Sequence, residues 1–257
     1  MPRKPASDWK FFPCQIGNDI AFVYVDVAAE KDIKRAPPTL VKVRLTYKAP
    51  RPNGLPTSEE FEAVRAIEQS LERFARRGKD RYVGRITRGG HRVFFFYTRR
   101  EKRGWVGFLD RLAQKSGYEL ALSAKSDRRH AGYRKELYPT ADDWQVISDI
   151  GVVEALRREG DVESVRRRVD HWAYFKNAKS AAKFVKWARN GPHKHDARLS
   201  GVDENGEHCV RLYHVGSTRQ NELSQHSIQL NRKATELGGH YDGWETQVVR
   251  RKTATQS

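Results

Sequence analysis

Twice along this chain the hydrophobic pattern switches between period 2 and period 3.6 in one order: strand, helix, hairpin, helix, strand. That order limits the fold more than any other feature of the sequence. Its simplest compact solution is a split βαβ unit, a sheet of antiparallel neighbours with both helices on one face. The chain therefore reads as α+β, with two ferredoxin-like βαββαβ sandwich domains. Element order, rather than residue identity, suggests a divergent duplication.

In the first half, Leu40-Val41-Lys42-Val43-Arg44-Leu45-Thr46-Tyr47 alternates as a half-buried strand does. A turn cluster from Pro50 to Pro56 follows. Thr57 then stands three residues before Glu60, a capping box for a helix over 58–77 that carries Phe61, Val64, Ile67, Leu71 and Phe74 on one stripe. Residues 82–86 and 92–97 flank Arg88-Gly89-Gly90 as a hairpin. A second helix, over 105–117, ends on Gly117, and Tyr118–Leu122 is the last strand. Ahead of all this, Trp9, Phe11 and Phe12 lead into one β-rich run over 20–27. Residues 125–140 form a basic, irregular bridge, and Tyr138-Pro139 marks the boundary.

The second half opens with a helix over 141–159, capped by Thr140 and carrying Trp144, Ile147, Ile150, Val153 and Leu156. A strand over 163–173, a helix over 178–190 and a hairpin with arms at 195–202 and 208–216 come next. A helix over 219–237 and a strand over 241–250 complete the pattern. The domains are thus 1–139 and 140–251, with a frayed tail at 252–257. In this topology the first and last strands are neighbours, which puts His171 and Trp172 close to Tyr241 and Trp244. Gly243 lies between the two large aromatics and leaves room beside them.

Six Trp, ten Tyr and eleven Phe are enough to build two cores. No apolar run is long enough to cross a membrane, and the opening Met1-Pro2-Arg3-Lys4-Pro5 lacks the apolar stretch of a signal peptide. Only Cys14 and Cys209 are present, so no disulfide framework is implied. These features suggest a cytoplasmic protein. The net charge of +17 attracts polyanions such as RNA, although scattered Arg also serves solubility alone.

The residue patterns offer little chemistry. His171 is a structural or interface histidine rather than a general base, since no nucleophile or paired carboxylate recurs beside it. Trp172, Tyr241, Asp242 and Trp244 join it as a candidate partner-binding patch, with packing against the first domain as the alternative fate. His193 and His195, with His208 and Cys209 nearby, lack the tight spacings of structural zinc and read as solvated loop residues. No metal or cofactor is expected. Glu59-Glu60 and Asp142-Asp143 sit in first helical turns, where the helix dipole accounts for them. Arg99, Arg100, Arg128, Arg129, Arg166 and Arg168 are the candidate RNA contacts.

Residues 141–250 resemble the ribonuclease E inhibitor RraB family. The likeness rests on Val169-Asp170-His171-Trp172, on element order, and above all on Tyr241-Asp242-Gly243-Trp244-Glu245-Thr246. The first half resembles the family known as domain of unknown function 695, through the Pro50-to-Glu60 segment and Tyr82-Val83-Gly84-Arg85. The RraB resemblance implies a ferredoxin-like fold and a non-catalytic role: binding the scaffold region of ribonuclease E and slowing RNA decay. The familiar inhibitors are acidic, whereas this chain is basic and carries Arg250-Arg251-Lys252 near its end, so the fold carries over more directly than the target. Three functions follow: a protein-binding regulatory adaptor, a basic RNA-binding module, and, ranked last, a hydrolase using His171 or the 193–208 histidines.

Overall fold

The structure is a computed structural model that describes residues 7–251, so the tail at 252–257 lies outside the described residues. The chain divides after Pro139 into two compact units. No described helix is long and apolar enough to cross a membrane.

The first unit runs β1 (Trp9–Ile16), β2 (Asp19–Asp26), β3 (Thr39–Thr46), α1 (Ser58–Arg77), β4 (Arg81–Arg88), β5 (His91–Thr98), α2 (Lys102–Ser116) and β6 (Leu120–Ser126). Its six strands lie in the order β1-β2-β4-β5-β3-β6, every neighbour antiparallel. The stretch β3-α1-β4-β5-α2-β6 is the ferredoxin-like unit. The single β-rich run expected at 20–27 is instead the second arm of a hairpin. That hairpin turns at Gly17, where φ is +64°, and extends the sheet beyond β4. Val41, Val43 and Leu45 pack beneath Val64, Ile67, Leu71 and Trp105 of the helices.

Two local expectations change. Thr57 caps α1, its hydroxyl accepting from the Glu60 amide, but the Glu60 carboxylate does not reach back to close a capping box. It accepts instead from the Lys48 amide at 2.8 Å and the Tyr118 hydroxyl at 3.2 Å, tying the helix start to the strand ends. The basic bridge is also no loose linker. Asp127 accepts from the Tyr97 hydroxyl and from the amides of Ala131 and Gly132, each at 2.8 Å. A single π-helical turn at Tyr133–Leu137 follows, and the buried Tyr133 hydroxyl donates to the Asp26 carbonyl at 2.9 Å. The bridge thereby covers the sheet face that the helices leave open.

The second unit begins with α3 (Ala141–Arg158), held by a complete capping box between Thr140 and Asp143. Then come β7 (Arg167–Phe175), α4 (Ala178–Asn190), β8 (Asp196–Val202), β9 (His208–Gly216), α5 (Gln220–Glu236) and β10 (Gly239–Thr246). The strand order β10-β7-β9-β8, all antiparallel, is the same permutation as β6-β3-β5-β4 in the first unit. β7 starts at Arg167 rather than at 163, because Arg167 turns inward to pair with Asp161 at 2.5 Å. β10 stops at Thr246 rather than at 250, where Val249 donates to the same Asp161 carboxylate at 2.7 Å. Ala173, Phe175, Val210 and Leu212 meet Phe184 of α4 and Leu230 of α5 in the main core. The added helix α3 closes one end through Val153 and Leu156 against Val169, Leu223 and Trp244.

Candidate functional site

Pairing of β10 with β7 brings the sequence-predicted residues together, though not as one surface. Tyr241 stands opposite Ala173 and Trp244 opposite His171, with a bulge between Tyr241 and Gly243. Strict alternation would send Tyr241 and Trp244 to opposite faces. The extra residue, Asp242, resets the parity so that both face the core. Gly243 is required for its backbone: its φ is +124°, and a Cβ there would meet nothing within 4 Å. The expectation that it makes room for the aromatics is corrected accordingly.

His171, Tyr241 and Trp244 thus sit on the core-facing side of the sheet rather than on an exposed patch. All three are buried, His171 completely. The Trp244 indole donates to Asp149 at 3.0 Å. The same carboxylate accepts from Gln145 at 2.9 Å, Ser224 at 2.7 Å and Ser227 at 2.5 Å. A carboxylate with four donors fixes α3 and α5 to β10. Trp172 and Asp242 lie on the other face.

Behind His171 the chain gathers five of its nine histidines: His171 from β7, His193 and His195 from the α4–β8 loop, His214 from β9 and His226 from α5. His171 Nδ1 meets the Tyr241 hydroxyl at 2.7 Å, and His171 Nε2 meets His214 Nδ1 at 2.9 Å. His195 Nε2 meets His226 Nδ1 at 3.1 Å. The His214 and His226 rings stack with centroids 3.7 Å apart and planes 7° from parallel. Burial, reinforced by the neighbouring imidazoles, pushes His171 well below the usual histidine range, His195 and His214 down to about 4, and His226 to about 3. The cluster borders a pocket of about 490 Å³ lined in part by Arg166, His193, Lys194, His214 and His226.

The reading of 193 and 195 as solvated loop residues is corrected. His195 is only 4% exposed. The ring of His193 is half-buried, and its Nε2 is fully buried with no hydrogen-bond partner. His208 and Cys209, expected beside them, start β9 at the end opposite His214 and take no part. His214 and His226 were missed, yet both carried a signal. His214 shares the parity of buried Val210 and Leu212, and His226 lies three residues after Leu223 and four before Leu230 on the buried stripe of α5.

The opposite sheet face is uncovered by any helix of this unit and has a distinct character. Arg168 lies over the Tyr213 ring at 3.9 Å and pairs with Asp170 at 2.7 Å. Arg211 lies over Trp172 at 5.5 Å and also reaches Asp170 at 3.2 Å. Tyr174 stacks on exposed His240 with centroids 5.3 Å apart. Beside this face β10 is an edge strand, paired among the described residues only with β7.

Residues 7–138 match the family of unknown function DUF695. The chain belongs to that family. Its remaining half, over residues 147–246, matches the family described as regulator of ribonuclease activity B, RraB. No curated protein matches the chain. Among solved structures it is similar to a protein assigned as a glycine cleavage system transcriptional repressor, at 10% identity, covering 81% of this chain and 98% of that one with a TM-score of 0.21. An unknown protein from Galdieria sulphuraria stands at 9% identity, with coverage of 81% and 98% and the same TM-score of 0.21. Neither superposition bears on function.

The six candidate RNA-contacting arginines divide between the two halves. In the DUF695 domain, Arg99, Arg128 and Arg129 are exposed, whereas Arg100 is a structural residue. Arg100 stacks on Phe74 at 4.4 Å and bonds Asp80 at 3.0 Å. In the RraB-like domain, Arg166 donates to the Val215 carbonyl at 2.7 Å and borders the histidine pocket, while Arg168 belongs to the outer sheet face.

Proposed function

We propose that this protein is a non-catalytic regulatory adaptor of the RNA-decay machinery, acting in the cytoplasm by protein–protein binding through its RraB-like domain. The match of residues 147–246 to the RraB family carries the reading. Two features of the domain suit it to docking. β10 offers an unpaired strand edge, and the adjoining helix-free face presents Trp172, Tyr174, His240 and Asp242 beside it. The ribonuclease E scaffold region is the partner to test first. Binding of that segment with a dissociation constant near or below about a micromolar, retained at physiological salt, supports the reading. Absence of binding removes that target.

A second reading, RNA binding, draws on a different observation. Arg168 over Tyr213 and Arg211 over Trp172 place cations and aromatic rings together on an open sheet face, a combination suited to stacking bases and holding phosphates. A fluorescent single-stranded RNA titrated against the full chain separates it from the first reading: affinity must fall steeply with added salt.

A further inference from the structure

Five imidazoles packed together need an explanation. Apolar side chains of similar volume would fill the same space without polar atoms to satisfy. The pairs His171–His214 and His195–His226 satisfy four ring nitrogens between them. His193 Nε2 is buried and has no partner at all. His171, His195 and His214 each offer a ring nitrogen, and these three nitrogens lie within 4.8 Å of one another.

We infer that His171, His195 and His214 form a binding site for a divalent first-row transition-metal ion of the zinc type. Imidazole is a preferred ligand of Zn²⁺, Co²⁺, Ni²⁺ and Cu²⁺. In a tetrahedral zinc site with metal–nitrogen bonds of about 2.0–2.1 Å, ligand nitrogens stand about 3.3 Å apart. His171 Nε2 and His214 Nδ1, at 2.9 Å, are already near that spacing. His195, which immediately precedes β8, offers its ring nitrogen within 4.8 Å of both.

The surroundings are those of a ligand set. His171 Nδ1 lies 2.7 Å from the Tyr241 hydroxyl, and donation of its N–H to that oxygen leaves the Nε2 lone pair facing His214. Such an outer partner fixes both tautomer and ring orientation. His214 borders the pocket, which supplies an entry path, and His193 and His226 line it as well. Arg166 and Lys194 also line that pocket. Their charges oppose a bare cation and favour a small anion as a fourth ligand.

The test uses the full chain, stripped with a chelator, desalted and titrated with Zn²⁺ against a chromophoric competitor. We expect one equivalent bound with a dissociation constant at or below about a micromolar. Replacing the set as His171→Gln, His195→Gln and His214→Gln should weaken binding at least a hundredfold, while His208→Gln, outside the cluster, leaves it unchanged. The triple variant could fail to fold, so Co²⁺ is added to the wild-type chain as a second readout. Intense visible d–d bands of tetrahedral coordination are expected. Only the weak spectrum of hexa-aqua cobalt, no stoichiometric zinc binding, or full zinc affinity in a folded triple variant would each overturn the site.

Discussion

The indole N–H of Trp244 on the last strand donates to Asp149 on the first helix of the same domain at 3.0 Å, across 95 residues of chain. The contact makes Trp244 part of the core of its domain. Truncation empties a space among Val153, Leu156, Val169 and Leu223 and should cost about 3–5 kcal/mol in urea unfolding. Trp244→Phe, which keeps most of the volume but removes the donor, should cost about 1–3 kcal/mol. Equal midpoints for wild type and Trp244→Ala would refute the burial argument.

Gly243 tests the bulge. Nothing crowds a Cβ there, so any cost of Gly243→Ala comes from its φ of +124°. We predict a destabilisation of about 1–3 kcal/mol by thermal or urea unfolding. If the strand relaxes to regular pairing instead, Trp244 must leave the core, and its fluorescence maximum will shift to the red.

The histidine cluster sets the acid limit of the metal-free protein. His195 and His214 titrate at about 4 and His226 at about 3 in the folded chain, against about 6.5 when unfolded. The unfolded chain then binds more protons between those values, so stability rises with pH across the window and falls as pH drops below about 6.5. Urea midpoints measured in chelator at pH 7.5 and 5.0 should differ clearly, the acid value lower. A flat profile contradicts neutral, buried rings.

Trp172 should behave in the opposite way to Trp244. It is half-buried on the outer sheet face, with Arg211 over its ring. Trp172→Ala should lower stability by about 1 kcal/mol and weaken binding to the ribonuclease E scaffold segment about tenfold or more, read by calorimetry. Unchanged affinity would move the docking surface elsewhere.

If RNA is the ligand of that face, its affinity should drop by about tenfold to a hundredfold between 50 and 200 mM salt, as neutralising about three to five phosphates on a single strand requires. Arg168→Ala and Arg211→Ala should each flatten the slope. A salt-independent signal excludes this mode.

Much of the fold could be read in advance because its signals are local. The alternation of Leu40–Tyr47, the stripe of α1, the Gly89-Gly90 turn and the Gly117 cap, with φ of +68°, each depend on a few consecutive residues. Repetition of one element order then fixed the shared strand permutation of both domains. Domain membership was equally legible, since Tyr241–Thr246 and the Pro50-to-Glu60 segment are contiguous motifs.

What the sequence alone could not decide were facings and gatherings. A single inserted residue at Asp242 inverts the facing of everything beyond it, and no local preference announces a bulge. The basic bridge looked unstructured because its order comes from contacts with distant residues, Asp127 with Tyr97 and Tyr133 with Asp26, the latter pair 107 positions apart. The histidine cluster draws on two strands, a loop and a helix spread from His171 to His226. Its meaning depends on burial, which turns five separate polar residues into one packed site, and burial is a property of the packed chain.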